Sequence, residues 1–224
     1  DNLKEHFSGM IADVAVFEIE PPPAPEPADI GLASTDIESR DPVAHWQFSG
    51  DGVTDRVGDA DGSYSGNASA LDSEGRSASF DGSGDYVVLE HTEDLMIDNG
   101  SIELRINADD AGPKQGLFSK DSSGYDDGGH LTMWVNDGKI EVRMQSDDAS
   151  YELQSDAVIG DGTWHDIALE FGEDGMRLLV DGEVQDTNTY TGGLGESSGG
   201  TGNTEPIVIG ANQWTSGDGV ANNV

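Results

Sequence analysis

Cysteine is absent from this 224-residue chain, which excludes disulfide staples, thiolate metal sites and thiol nucleophiles. Basic residues are scarce: 10 Lys and Arg stand against 45 Asp and Glu, a formal net charge of −35. Such a surface repels a phosphate backbone and an anionic bilayer, so nucleic acid and membrane surfaces are excluded as partners. Long apolar runs are missing too, and with them any membrane insertion. No signal peptide opens the chain, so the expected source is the interior of a longer secreted or cell-surface protein. Sustained 3.6-residue periodicity is also missing, which argues against helices.

What is present is alternation. Ile167, Leu169 and Phe171 alternate with Ala168 and Glu170; after Gly172-Glu173-Asp174-Gly175 the pattern resumes at Met176, Leu178 and Val180. Period-2 patterning on both sides of a short Gly/Asp loop reads as a β-hairpin with one buried face, and Asp181-Gly182 supplies a second tight turn. Similar runs recur at 44–48, 78–80, 86–89, 101–106, 115–119, 130–135, 139–144, 150–153 and 206–210, with Asn136-Asp137-Gly138 as another hairpin turn. Hydrophobic residues make up 34% and 31 residues are glycine, a balance that suits a loop-rich sandwich of about a dozen short strands.

The opening segment is different. Phe7 to Glu18 reads as one central strand, with Ile11, Asp13, Ala15 and Phe17 on one side and Met10, Ala12, Val14 and Val16 on the other. The PPPAPEP stretch after it fixes φ and removes amide donors, so residues 19–41 read as an extended linker. The expected organisation is a strand at 1–18 completing the sandwich, the linker at 19–41, and the sandwich proper at 42–224.

AHWQF at 44–48, TDRVGDADGSYSG at 54–66, SASFDGSGDYVVL at 77–89, GTWHDIALEFGEDGMRLLVDGE at 162–183 and IVIGAN at 207–212 come one after another in order. In this series the chain resembles the laminin-G-like, concanavalin A-like lectin/glucanase domains of bacterial extracellular proteins. That resemblance implies an all-β, two-sheet antiparallel jelly-roll sandwich. Members close with a strand of the type FSGxIDEVxIY, and FSGMIADVAVF, residues 7–17, is similar to it but stands at the front. A circular permutation, a cut through a tandem array with neighbouring repeats as partners, or a strand shared with another molecule would each produce this order. The convex-face calcium site of many such folds is not carried over, because Ala12 and Ser49 stand where its aspartates fall.

Loop carboxylates are the candidate metal ligands. Asp121, Asp126 and Asp127 lie within seven residues of one Gly-rich loop, and Asp147, Asp148 and Glu205 lie on other loops. Calcium takes six to eight oxygens from carboxylates and carbonyls, so calcium is the expected cofactor. Asp51, Asp55, Asp59 and Asp61 lack the EF-hand glutamate and read instead as a turn stapled by Asx hydrogen bonds. Tyr190, Asn212 and Trp214 are the candidate ligand-binding residues, since aromatic faces stack on sugar rings and amides bind hydroxyls. No strand carries paired catalytic carboxylates, and His45, His91 and His130 lack ligand spacing. His165 reads as packing. The expected function is a noncatalytic, calcium-assisted recognition module for a glycan or cell-surface protein; the alternatives are a calcium-stabilised spacer repeat and, less favoured, a carbohydrate-active enzyme domain.

Overall fold

The computed structural model describes residues 3–19, 37, 40–50, 52–71, 77–109, 112–122, 124–125 and 127–213. Most of the linker, with Asp51, Asp126 and Trp214, lies outside them. The strands are β1 (Ser8–Glu18), β2 (Ala44–Ser49), β3 (Gly52–Asp55), β4 (Gly62–Ser65), β5 (Ser69–Ala70), β6 (Ser77–Asp81), β7 (Tyr86–Leu89) and β8 (Gly100–Ala108). They continue as β9 (Gln115–Lys120), β10 (His130–Asn136), β11 (Lys139–Gln145), β12 (Ser150–Gln154), β13 (Trp164–Phe171), β14 (Met176–Val180), β15 (Glu183–Asn188) and β16 (Ile207–Ile209). All described pairings are antiparallel.

One layer runs β6-β1-β8-β13-β14-β15, with β5 beside β6; the other runs β12-β11-β10-β9-β16-β7-β4-β3-β2. The all-β sandwich expected from the alternation is what forms. Inward side chains of both layers share one core, with Ile102, Leu104, Ile106, Ile167 and Leu169 from the first and Leu131, Met133, Ile140 and Val142 from the second. The expected hairpin forms as β13 and β14, with Leu169 opposite Leu178 and Ile167 opposite Val180.

β1 is central. One edge pairs with β8; the other is shared, with Ser8–Ala12 against β6 and Ala15–Val16 against β2. The structure corrects the two faces read from its alternation. Register shifts between Ala12 and Ala15, where Asp13 adopts φ 49°. A bulge inserts one residue and reverses the facing of those beyond it, and aspartate tolerates left-handed backbone better than most residues. Ile11, Val14 and Val16 therefore all enter the main core, while Ala15 and Phe17 face outward under Ile37. Arg40 lies 4.3 Å from the Phe17 ring centre and binds both carboxylate oxygens of buried Glu103, at 2.5 and 2.7 Å.

The aspartate-rich loop after β3 is the expected Asx turn. Asp55 accepts from the amides of His45, Val57 and Ala60, and Asp61 accepts from the amide of Asp55.

Candidate functional site

Three connections meet at one rim: 121–129 between β9 and β10, 146–149 between β11 and β12, and 189–206 between β15 and β16. Close approach requires glycine. A Cβ at Gly129 would sit 2.6 Å from the Leu194 oxygen, and one at Gly128 2.5 Å from Ser198 Oγ. The Gly202 amide donates to Asp127 O (3.1 Å), Thr201 Oγ1 to Asp127 Oδ1 (3.0 Å), and the Asp147 amide to Ser198 O (3.0 Å). Asp98 joins them, accepting from the amide and hydroxyl of Ser197.

Tyr190 belongs to this rim but presents no open ring face on one side: it stacks on Tyr151 at 3.9 Å and 9°. Burial pushes its hydroxyl up to about 12, helped by Tyr151 and by the charges of Asp147, Asp148 and Asp98. The pair seals the end of the sandwich against the core. Tyr125 is the aromatic that remains 42% exposed, its hydroxyl 3.4 Å from Ser150 Oγ.

Beneath the rim the neighbouring residues Lys120 and Asp121 are both fully buried. Lys120 pairs with core residue Leu131, so it points inward, where its ammonium donates to Glu205 O (2.5 Å) and lies 3.1 Å from His91 Nδ1. Burial pulls Lys120 down to about 7 despite the charge of Glu205, and burial with the Lys120 charge pulls His91 down to about 4. Asp121 Oδ2 accepts from Arg143 (2.5 Å) and Thr132 (3.0 Å), and Oδ1 lies 3.4 Å from His130 Nδ1. Asn203 ties the β15–β16 connection to the β9–β10 connection, its amide donating to Lys120 O and Gly129 O. Burial raises the Glu205 carboxyl against the pull of Lys120 and His130. Among the described residues no three Asp, Glu or His side chains gather as a metal would need.

Asn212 is placed elsewhere. It is buried, exchanges backbone hydrogen bonds with Lys4, and donates its side-chain amide to Glu5 Oε2. An amide so engaged anchors the N-terminal segment, and its oxygen accepts from Ser119 Oγ. His165, read as packing, bridges Asp181 (2.9 Å) and Asp161 (3.4 Å) at the surface.

The outer face of the second layer holds a feature that sequence reasoning missed. Thr132 and Trp134 of β10 lie opposite Arg143 and Glu141 of β11, which lie opposite Glu152 and Gln154 of β12. Of these, Trp134, Glu141, Arg143, Glu152 and Gln154 line, with Lys114 and Asp186, an open groove of about 290 Å³. The Lys114 ammonium sits 3.7 Å from the Trp134 ring centre and 3.2 Å from Glu141, the Arg143 guanidinium 5.3 Å from the same ring. Cation–π contact and ion pairing together fix both cations. Outward Thr132 and Trp134 in LTMWVN, and outward Glu141 and Arg143 in KIEVRMQ, were the available signal.

A family model of the laminin G type, described as the concanavalin A-like lectin/glucanases superfamily, matches residues 81–221, more than half of the chain. The chain belongs to this family. No curated protein matches it. Among solved structures, this concanavalin A-like domain is similar to the binding domain of botulinum neurotoxin serotype D (16% identity, TM-score 0.57, 74% of this chain and 42% of that one). A second structure, the receptor binding domain of botulinum neurotoxin D, gives 14% identity and a TM-score of 0.59 over 74% and 43%. A third, from work titled as showing that cell entry of botulinum neurotoxin type C depends on interaction with two ganglioside molecules, gives 15% and 0.54 over 81% and 44%. The chain thus spans less than half the length of each. At such identity the likeness establishes the fold of the concanavalin A-like domain and nothing finer.

Since the family's name spans lectins and glucanases, the groove carboxylates bear on catalysis. Burial alone would raise Glu141, yet hydrogen bonds from Asn136 and Lys114 and the Lys114 charge outweigh it and hold the carboxyl below its usual value. A general acid needs the opposite shift.

Proposed function

We propose that this domain is a noncatalytic recognition module, working outside the cell, that takes a saccharide in the groove beside Trp134. The observation that carries the reading is the groove itself, open and lined by groups that hydrogen-bond hydroxyls in both directions. Lys114 and Arg143 donate; Glu152 and Asp186 accept; Gln154 can do both. Glu152 is exposed and stands directly across from Arg143. The receptor-binding domains that share the fold support recognition as its use. The depressed Glu141 carboxyl, ill suited to giving up a proton to a leaving group, supports binding without turnover.

Calcium is expected from the loop acids; of the described ones, Asp121 Oδ2 is held by Arg143 and Thr132, while Asp121 Oδ1 and Glu205 Oε2 are buried without a hydrogen-bond partner. The reading routes no contact through a metal.

Glycan-array screening followed by calorimetry on the best binder tests the proposal. Glu152→Ala is expected to weaken binding roughly tenfold, the value of one hydrogen bond to a charged group. Binding unchanged in Glu152→Ala would move the site off this face; a chain that binds no saccharide but captures a protein ligand, or nothing, would favour the protein-binding or spacer reading instead.

A further inference from the structure

Donors and acceptors are unevenly committed in the groove beside Trp134. Its donors are turned on the protein. The Lys114 ammonium lies 3.2 Å from Glu141 and 3.7 Å from the Trp134 ring centre, the Arg143 guanidinium 2.5 Å from Asp121, and the Gln154 carboxamide nitrogen 3.1 Å from Glu141. Its acceptors are less engaged. Asp186 takes one backbone amide on each oxygen, from Gln154 (3.0 Å) and Thr187 (2.8 Å). The exposed Glu152 carboxylate lines the groove, and no described side chain is paired with it. Given the reading that this groove takes a saccharide, we infer that the saccharide carries a free amine: an amino sugar without its acetyl group, taken by Glu152 and Asp186 in preference to neutral or carboxylated sugars.

Charge bookkeeping points the same way. Lys114 stands with Glu141 and Arg143 with Asp121, so both groove cations are balanced and Glu152 and Asp186 are the charges in excess. Arg143 lies across from Glu152 in the register, yet the two are not joined as an ion pair, because the guanidinium turns to Asp121. An ammonium is three donors and no acceptor, the complement of a wall whose open positions are carboxylate oxygens. Acetylation removes the charge and adds an acceptor; a uronate adds a like charge, which Glu152 and Asp186 repel. Trp134 gives a neutral ring little in return. It is 4% exposed with Lys114 over it, so it offers no open stacking face on that side. The two carboxylates come one from each layer, Glu152 on β12 and Asp186 on β15, and the seam between them is tied. The Gln154 amide donates to Asp186, and Asn188 Nδ2 to Glu152 O (3.4 Å). A ligand amine therefore meets acceptors already held in place, in the field of a chain whose net charge of −35 draws cations toward it.

Calorimetry on the full chain tests this with three trisaccharides of one linkage, built from glucosamine, N-acetylglucosamine and glucuronate. It is run at about pH 6, where the amine is protonated, and about 0.15 M salt. The glucosamine trimer is expected to bind at least roughly tenfold tighter than the acetylated one, and the glucuronate trimer not at all. Glu152→Gln keeps the shape and removes the charge; it should weaken the glucosamine trimer roughly tenfold and leave the acetylated one unmoved. Glu152→Lys should reverse the order in favour of glucuronate. Melting curves matching the wild type verify that both variants fold. An amine bound equally well by Glu152→Gln overturns the inference, since general attraction to an acidic surface would then explain it. A neutral or acidic glycan bound in preference, and lost in Glu152→Ala, overturns the amine preference while the saccharide reading stands. Silence from every trimer and from the whole glycan array overturns both.

Discussion

Two patches on the outer face of the second layer share Arg143 and end differently. Toward the rim, its guanidinium closes on Asp121 Oδ2 together with Thr132, in a site from which solvent is excluded and in which Asp121 Oδ1 has no hydrogen-bond partner. Toward the layer's edge, the same residue, with Lys114, lines a groove that stays open to Glu152, Gln154 and Asp186. The residue types are alike, so type does not separate structure from recognition. Depth does: in the first patch the polar groups are closed off from solvent, in the second some are left facing water.

The largest way to break that contrast is Arg143→Met. It leaves Asp121 buried without its guanidinium, and removing one partner of a buried pair is expected to cost about 3–5 kcal/mol in a denaturant titration. Lys120→Met sharpens it through pH. Lys120 is pulled down to about 7, well below its unfolded value, so the unfolded chain binds the extra proton above that pH. Wild-type stability should therefore rise relative to Lys120→Met from pH 7 toward pH 10, by at most about 1.4 kcal/mol per pH unit. A difference that is flat with pH would place the lysine outside the buried site.

Glu152→Ala addresses the open patch alone: its roughly tenfold affinity loss should come with a stability change within about 0.5 kcal/mol, as for most surface substitutions. The smallest effect belongs to His165. Burial lowers it, but hydrogen bonds and charges from Asp181 and Asp161 outweigh that and raise it. Its contribution is full below the unfolded value and is lost as pH rises through the folded one. His165→Gln should cost about 0.5 kcal/mol at pH 5 and nothing at pH 9, measured by paired melts.

The layers were legible because their signal is local. Leu169 and Leu178 face each other across a loop four residues long, and the Asp55 turn is stapled within six residues. β1 was legible as a central strand but not in its faces, since a single bulge residue, Asp13, cannot be told from an ordinary outward aspartate in an alternating run. Lys120 was hidden for a related reason. At the end of QGLFSK a lysine reads as solvent-facing; its inward position is set only by the register against Leu131. The groove required two registers at once, β10 on β11 and β11 on β12, before Trp134, Arg143 and Glu152 became neighbours. The contacts of Asn212 were not legible either, since they are made with Lys4 and Glu5, more than 200 residues away in sequence.

The divided edge of β1 has a consequence for how the molecule is made. Its partners are β2, β6 and β8, with Met10 set against both Ser79 and Asn107. During synthesis β1 is made before β2, β6 and β8, and must wait for those later segments before Ile11, Val14 and Val16 gain the partners they have in the fold. Assembly of the first layer is thus a late, long-range closure, slow by the measure of loop entropy and the interval in which a chaperone would have most to do.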